Sequence, residues 1–114
     1  MFAQIATFEE SAEQLNEGLR HLREEVIPSV GAVDGLVAAY WLVNPTGGKR
    51  LSLMLWDSDE AQAAAMPGIM QGVGSRRSAA GKTTPANAPT SVERFDVVGQ
   101  ARGGRPAEPV PAIA

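Results

Sequence analysis

Cysteine is absent from this chain of 114 residues, and histidine occurs once. The first absence excludes disulfides, a thiolate nucleophile and thiolate metal ligands. The second removes most imidazole metal chemistry, because zinc, copper and non-haem iron sites draw on several histidines. A magnesium or calcium ion held by carboxylates would call for a clustered acidic loop, and the sequence offers none. Basic excess is missing too: 10 Lys and Arg against 13 Asp and Glu leave a net charge of −3. A nucleic-acid partner, whose phosphates demand a basic face, is therefore not expected. No apolar run approaches the roughly 18 residues that span a membrane. Met1 to Phe8 also lacks the basic and then apolar pattern of an export signal. The expectation is a soluble, cytoplasmic protein without membrane contact, metal or cofactor.

What the chain does have is a normal apolar share of 44% and a length that suits one domain. We expect that domain over residues 1–100. Residues 101–114 carry two Gly, three Pro and few large apolar groups, and read as a tail that cannot hold itself folded.

Phe2 to Phe8 suits a first strand. Ser11 is placed to cap a helix in which Leu15, Leu19, Leu22 and Val26 share one face. Pro28 is expected to end it. Leu36 to Val43 reads as a strand buried on both sides, and Asn44-Pro45-Thr46-Gly47-Gly48 as a turn that returns the chain antiparallel. In the next strand Leu51, Leu53 and Leu55 alternate with Ser52, Met54 and Trp56. Asp57 and Glu60 have the spacing of a capping box for a second helix beginning near Ser58. Pro67-Gly68 predicts a kink or break there, with helix resuming to about Ala80. Val92 to Val98 alternates as a last strand.

This order, β-α-β-β-α-β, predicts an α+β, ferredoxin-like fold: a four-stranded antiparallel sheet with two helices on one face. The opposite sheet face then lacks cover. A second copy is the simplest cover, so a homodimer closed sheet to sheet, as a dimeric α/β-barrel, is expected.

Several residues are candidates for chemistry. Trp56, at the junction of strand and helix, either contacts a ligand or caps the core. Met54 shares its face, and Met66 and Met70 could reach over from the second helix; thioethers suit an adaptable pocket and an irregular core alike. Tyr40 and Trp41 are neighbours on a strand and must face opposite sides. His21 is the default proton acceptor, expected at the exposed flank of the first helix. Arg76 and Arg77 suit the end of a helix dipole, or an acidic ligand. Gly47-Gly48-Lys49 joins two strands and so is not a phosphate loop, and no serine sits in a nucleophile elbow.

Phe2 to Glu9, Glu17 to Arg20, Arg23 to Pro28, Gly47 to Arg50, Leu55 to Ala61 and Ser91 to Val98 together resemble, in order, small actinobacterial-type members of the antibiotic biosynthesis monooxygenase-like family. The resemblance implies a dimeric α/β-barrel. It also implies either cofactor-independent oxygenation of aromatic polyketides or haem breakdown. Trp56 corresponds to the strand-end tryptophan near the haem pocket of the haem degraders. Those enzymes also need an asparagine on the first strand and a histidine on the second helix. Here the first strand offers Ala6 and Thr7 and the second helix no histidine, which disfavours haem breakdown.

The expected function is thus that of a cofactor-free monooxygenase-like protein that acts on or binds a small aromatic, polyketide-like molecule. Trp56, Met54, Met70 and Tyr40 would contact the ligand, and His21 would act as base. The alternative is a dimeric small-molecule-binding or structural module without catalysis.

Overall fold

A computed structural model describes residues 1–44, 46–106, 108 and 109. Strand β1 (Phe2–Glu9) leads into helix α1 (Ala12–His21). Ser11 and Gln14 form a reciprocal capping box that satisfies two amide donors at the helix start. A π-helical turn, Leu22–Val26, and a short helix α2 (Ile27–Val30) continue in line. Leu15 and Leu22 are buried on the expected face.

Pro28 does not end this helical run, contrary to expectation. It lies in the first turn of α2, where a missing N–H costs little. The preceding turn is hydrogen-bonded in the wider π register, Ile27 donating to the carbonyl of Leu22. The Ser29 hydroxyl donates to the Glu25 carbonyl over 2.5 Å, giving that oxygen a partner near the proline. Gly31, at φ +51°, is where the run stops.

β2 (Leu36–Asn44) and β3 (Lys49–Trp56) form the expected hairpin, with Asn44 Oδ1 accepting from the amides of Thr46 and Gly47. Helix α3 (Asp59–Ala79) is capped by Ser58, whose hydroxyl accepts from Ala61 N over 3.1 Å. The expected Asp57–Glu60 box does not form. Asp57 N donates to Gly35 O over 2.8 Å, which carries strand-like pairing through Asp57 and moves the cap one residue on.

The expected break at Pro67-Gly68 is also absent, and α3 runs through both residues. Both point outward and are exposed, while Ile69 is buried and Met66 and Val73 pack on the same core. Burial of that inner face offsets the cost of the proline, a case of packing overriding propensity.

β4 (Ser91–Asp96) ends two residues earlier than predicted. Gly99–Gln100 (β5) pairs with Glu108–Pro109 (β6), so part of the predicted tail joins the end of the predicted domain in a small second sheet. Residues 110–114 of that tail lie outside the described residues.

The main sheet is antiparallel in the order β2-β3-β1-β4, the ferredoxin-like topology. Registers sort the side chains into two faces. Phe2, Trp41, Met54 and Trp56 face the helices and pack with Val30 and Ile69 in the core. On the other face the register makes rows across the sheet: Phe95, Ala3, Leu55, Ala38; then Glu93, Ile5, Leu53, Tyr40; then Ser91, Thr7, Leu51, Leu42. Among the described residues these rows are only partly covered: Ala3 is buried, while Phe95 is 47% exposed. For that reason β2 is not buried on both sides as expected, and Tyr40 and Leu42 remain 55% and 47% exposed.

Candidate functional site

Two chambers adjoin where α1, the π-helical turn, α3 and the segment after α3 meet the helix-facing side of the sheet. One, of about 400 Å³, is bordered by apolar groups that include Phe8, Leu22, Val26, Met70 and Val73. The other, of about 340 Å³, is polar and is bordered by Glu10, Gln14, Glu17 and Lys82. His21, Arg50, Arg77, Ala86 and Asn87 border both, so the chambers share a wall of polar side chains.

Two buried carboxylates hold that wall from behind and beside it: Glu25 binds His21 and Arg77, and Glu10 binds Arg50 and Asn87. Glu25, in the π-helical turn, is fully buried. Its Oε1 receives His21 Nδ1 at 2.7 Å and Arg77 Nη1 at 3.2 Å, while its Oε2 is bonded by Arg20. Burial by itself would push this carboxyl up, but hydrogen bonds from His21, Arg20 and Arg77 prevail and hold it down at about 2. Arg20 also grips Glu17 and Glu24 along the helix, which raises its own pKa and lowers that of Glu17.

The second carboxylate is Glu10, just past β1. Arg50 Nε donates to its Oε1 over 2.5 Å and Asn87 Nδ2 to its Oε2 over 2.8 Å. The Arg50 guanidinium also lies over the Phe8 ring, 3.9 Å from its centre. Gly18 lets this pair press against α1: a Cβ there would stand 2.7 Å from Arg50 Nε and 2.9 Å from Glu10 Oε1.

His21 is not at an exposed flank, as its position in α1 had suggested. Its side chain is 12% exposed, and Glu25, four residues on, lies beside the ring. With Nδ1 engaged by Glu25, Nε2 is left without a partner among the described residues, and the ring borders both chambers. A carboxylate that holds one imidazole nitrogen, in a ring that borders a cavity and has its other nitrogen free among the described residues, is an arrangement suited to proton transfer.

The other expected ligand contacts are dispersed. Met70 borders the apolar chamber. Met54 packs on the core, and Trp56 is fully buried within it; neither borders either chamber. Tyr40 stands on the uncovered sheet face, opposite Trp41, which turns to the core. Arg77 reaches the site, so its role is not confined to the helix dipole. Glu25, Glu10, Arg50 and Asn87 were missed as site residues. The spacing of His21 and Glu25, one helical turn apart, and the presence of Arg50 on the strand face of Met54 and Trp56 were available signals.

No family model matches the sequence. Two uncharacterised Mycobacterium tuberculosis proteins, Rv2557 and MT2634, each match at 26% identity over 65 residues, which is 57% of this chain. The aligned part is 29% of the length of each of those relatives. Structural likeness is broader. A candidate antibiotic biosynthesis monooxygenase of Chloroflexus aurantiacus superposes with a TM-score of 0.63 at 16% identity, over 90% of this chain and 98% of that one. The ActVA-Orf6 monooxygenase of Streptomyces coelicolor, solved with nanaomycin D, gives 0.59 at 14% identity, covering 91% and 89%. The haem degrader MhuD of Mycobacterium tuberculosis, solved with two haems bound, gives 0.61 at 19% identity, covering 90% and 100%.

The fold is therefore that of the antibiotic biosynthesis monooxygenase-like proteins. The residues here do not match a haem site of the kind expected from the resemblance. α3 brings Met70, Val73, Gly74 and Arg77 to the apolar chamber and no imidazole, and the one histidine is tied to Glu25. Among the described residues, no helix is long and apolar enough to cross a membrane.

Proposed function

We propose that the chain is a cofactor-independent monooxygenase-like protein that takes a small aromatic, polyketide-like molecule into the apolar chamber. The observation that carries this reading is the His21–Glu25 pair beside a cavity lined by Phe8, Leu22, Val26 and Met70. A substrate with an acidic CH2 between aromatic rings would lose a proton to His21 Nε2. The resulting carbanion supplies the electrons that reduce oxygen, a hydroperoxide forms at that carbon, and loss of water leaves a ketone. CH2 and O2 become C=O and H2O, and the protein supplies orientation and one proton acceptor.

A homodimer belongs to the same proposal. The rows centred on Leu53, Leu55 and Ile5 form an apolar surface that a second copy would bury, sheet against sheet. The oxygenation test is oxygen uptake with an anthrone. Turnover by the wild type that falls at least ~100-fold in His21→Ala supports the reading, in line with the usual worth of a positioned base. Anthrone binding without oxygen uptake would favour the alternative, a binding module without catalysis. One observation favours that alternative: Glu25 is already matched by three donors, as in a purely structural ion cluster.

A further inference from the structure

Arg50 is the most deeply buried cation at the site, and its bonding is incomplete. The side chain is 3% exposed. Glu10 takes Nε, the guanidinium stacks on Phe8, and the amino groups Nη1 and Nη2 have no protein acceptor among the described residues. Neither amino nitrogen is sealed away, unlike the two indole nitrogens that are both buried and unpartnered. What access the group retains opens on the chambers that it borders together with His21.

We infer that Arg50 is a ligand-binding residue whose free amino groups receive the phenolate or enolate oxygen of a hydroxylated ring seated in the apolar chamber. The inference rests on the proposed reading of that chamber and adds the ligand class. An arginine fork presents paired donors in a fixed plane, which suits an acceptor oxygen at the edge of a flat molecule. The neighbouring charges point the same way. Glu10 and Asn87 occupy one side of the group, and Glu17, Lys82, Arg20, Arg77 and Glu25 pair among themselves beyond it. Because Glu10 already neutralises Arg50, the pair offers donors without a surplus of positive charge. Such a site stabilises an oxygen that shares its charge with a ring better than it compensates the desolvation of a full carboxylate.

The probe is 1,8-dihydroxyanthraquinone, whose visible absorption reports ionisation of its phenol, with anthraquinone as the analogue lacking hydroxyls. When bound to the wild type, the phenol should ionise about one pH unit or more below its value in water, a tenfold preference for the phenolate. The double variant Glu10→Gln, Arg50→Gln removes both charges together, so no lone buried carboxylate remains. It should lose the shift and, with it, the wild type's preference for the ionised probe over anthraquinone. Arg50→Lys, which can still pair with Glu10, should keep less than half of the shift and serves as the check if the double variant unfolds. Absence of probe binding, an unshifted bound phenol, or an equal shift in the variants would each overturn the assignment. Failure to consume oxygen with an anthrone would sink the oxygenase reading and leave this result standing.

Discussion

His21 Nδ1 lies 2.7 Å from Glu25 Oε1, across the junction between α1 and a π-helical turn. The contact joins the only histidine of the chain to a carboxylate with no solvent exposure. It makes a side chain that borders a cavity part of a buried ion network, so a change in the protonation of this pair acts on stability.

Stability should therefore depend on acid in a defined window. The Glu25 carboxyl is held at about 2 in the folded protein, below its ordinary value of 4.5. A depressed carboxyl contributes stability that is complete above the unfolded value and is lost as pH falls toward the folded one. Melting temperature should decline between about pH 4.5 and 2 in the wild type and decline less steeply over that window in Glu25→Gln. At pH 7 the same variant should be less stable by on the order of 3 kcal/mol, since it strips a buried network of its anion. Thermal unfolding followed across pH checks both.

Leu53 sits at the centre of the uncovered rows, flanked by Ile5 and Tyr40. If a second copy covers this face, Leu53→Glu would bury a charge in the seam. Size exclusion with light scattering should find a dimer for the wild type and a monomer for the variant. A wild-type monomer would end the barrel proposal.

Trp56 is fully buried in the core and its indole N–H has no acceptor among the described residues. Replacement by Phe would remove no protein hydrogen bond and should cost about 1–2 kcal/mol, much less than the 3–5 kcal/mol expected for Trp56→Ala. Urea denaturation measures the difference. A large loss of anthrone binding in a stable Trp56→Phe protein would instead restore the ligand contact expected from sequence.

Pro67 and Gly68 are exposed in the middle of α3, and a Cβ added at Gly68 would meet nothing within 4 Å. Gly68→Ala should stabilise the protein by about 0.5–1 kcal/mol, and Pro67→Ala by up to about 3 kcal/mol. A rise in melting temperature for both, with unchanged ligand binding, is the expected outcome. No gain for Pro67→Ala would mean that the proline serves a contact outside the single chain.

Periodicity and turn chemistry determined, from sequence alone, the order of the main elements, the hairpin at Asn44 to Gly48, the cap at Ser11 and the ferredoxin-like sheet. These are local signals: a strand alternates every second residue and a helix returns every third or fourth. Tertiary structure decided whether local weakness mattered. Pro28 and Pro67 looked like helix ends because propensity penalises them, yet one falls in a first turn after a widened register and the other on an outer face. The site was decided the same way. His21 stood out as a residue type, and its spacing from Glu25 was legible, but the burial of that pair and its contact with Arg77, 52 residues from Glu25, came only with the packing of α3. Arg50 and Glu10 are 40 residues apart and meet only because β1 and β3 pair and Gly18 leaves room beside them. Electrostatics between buried groups is set by distance and by the loss of water around them, and both exist only once the chain has folded.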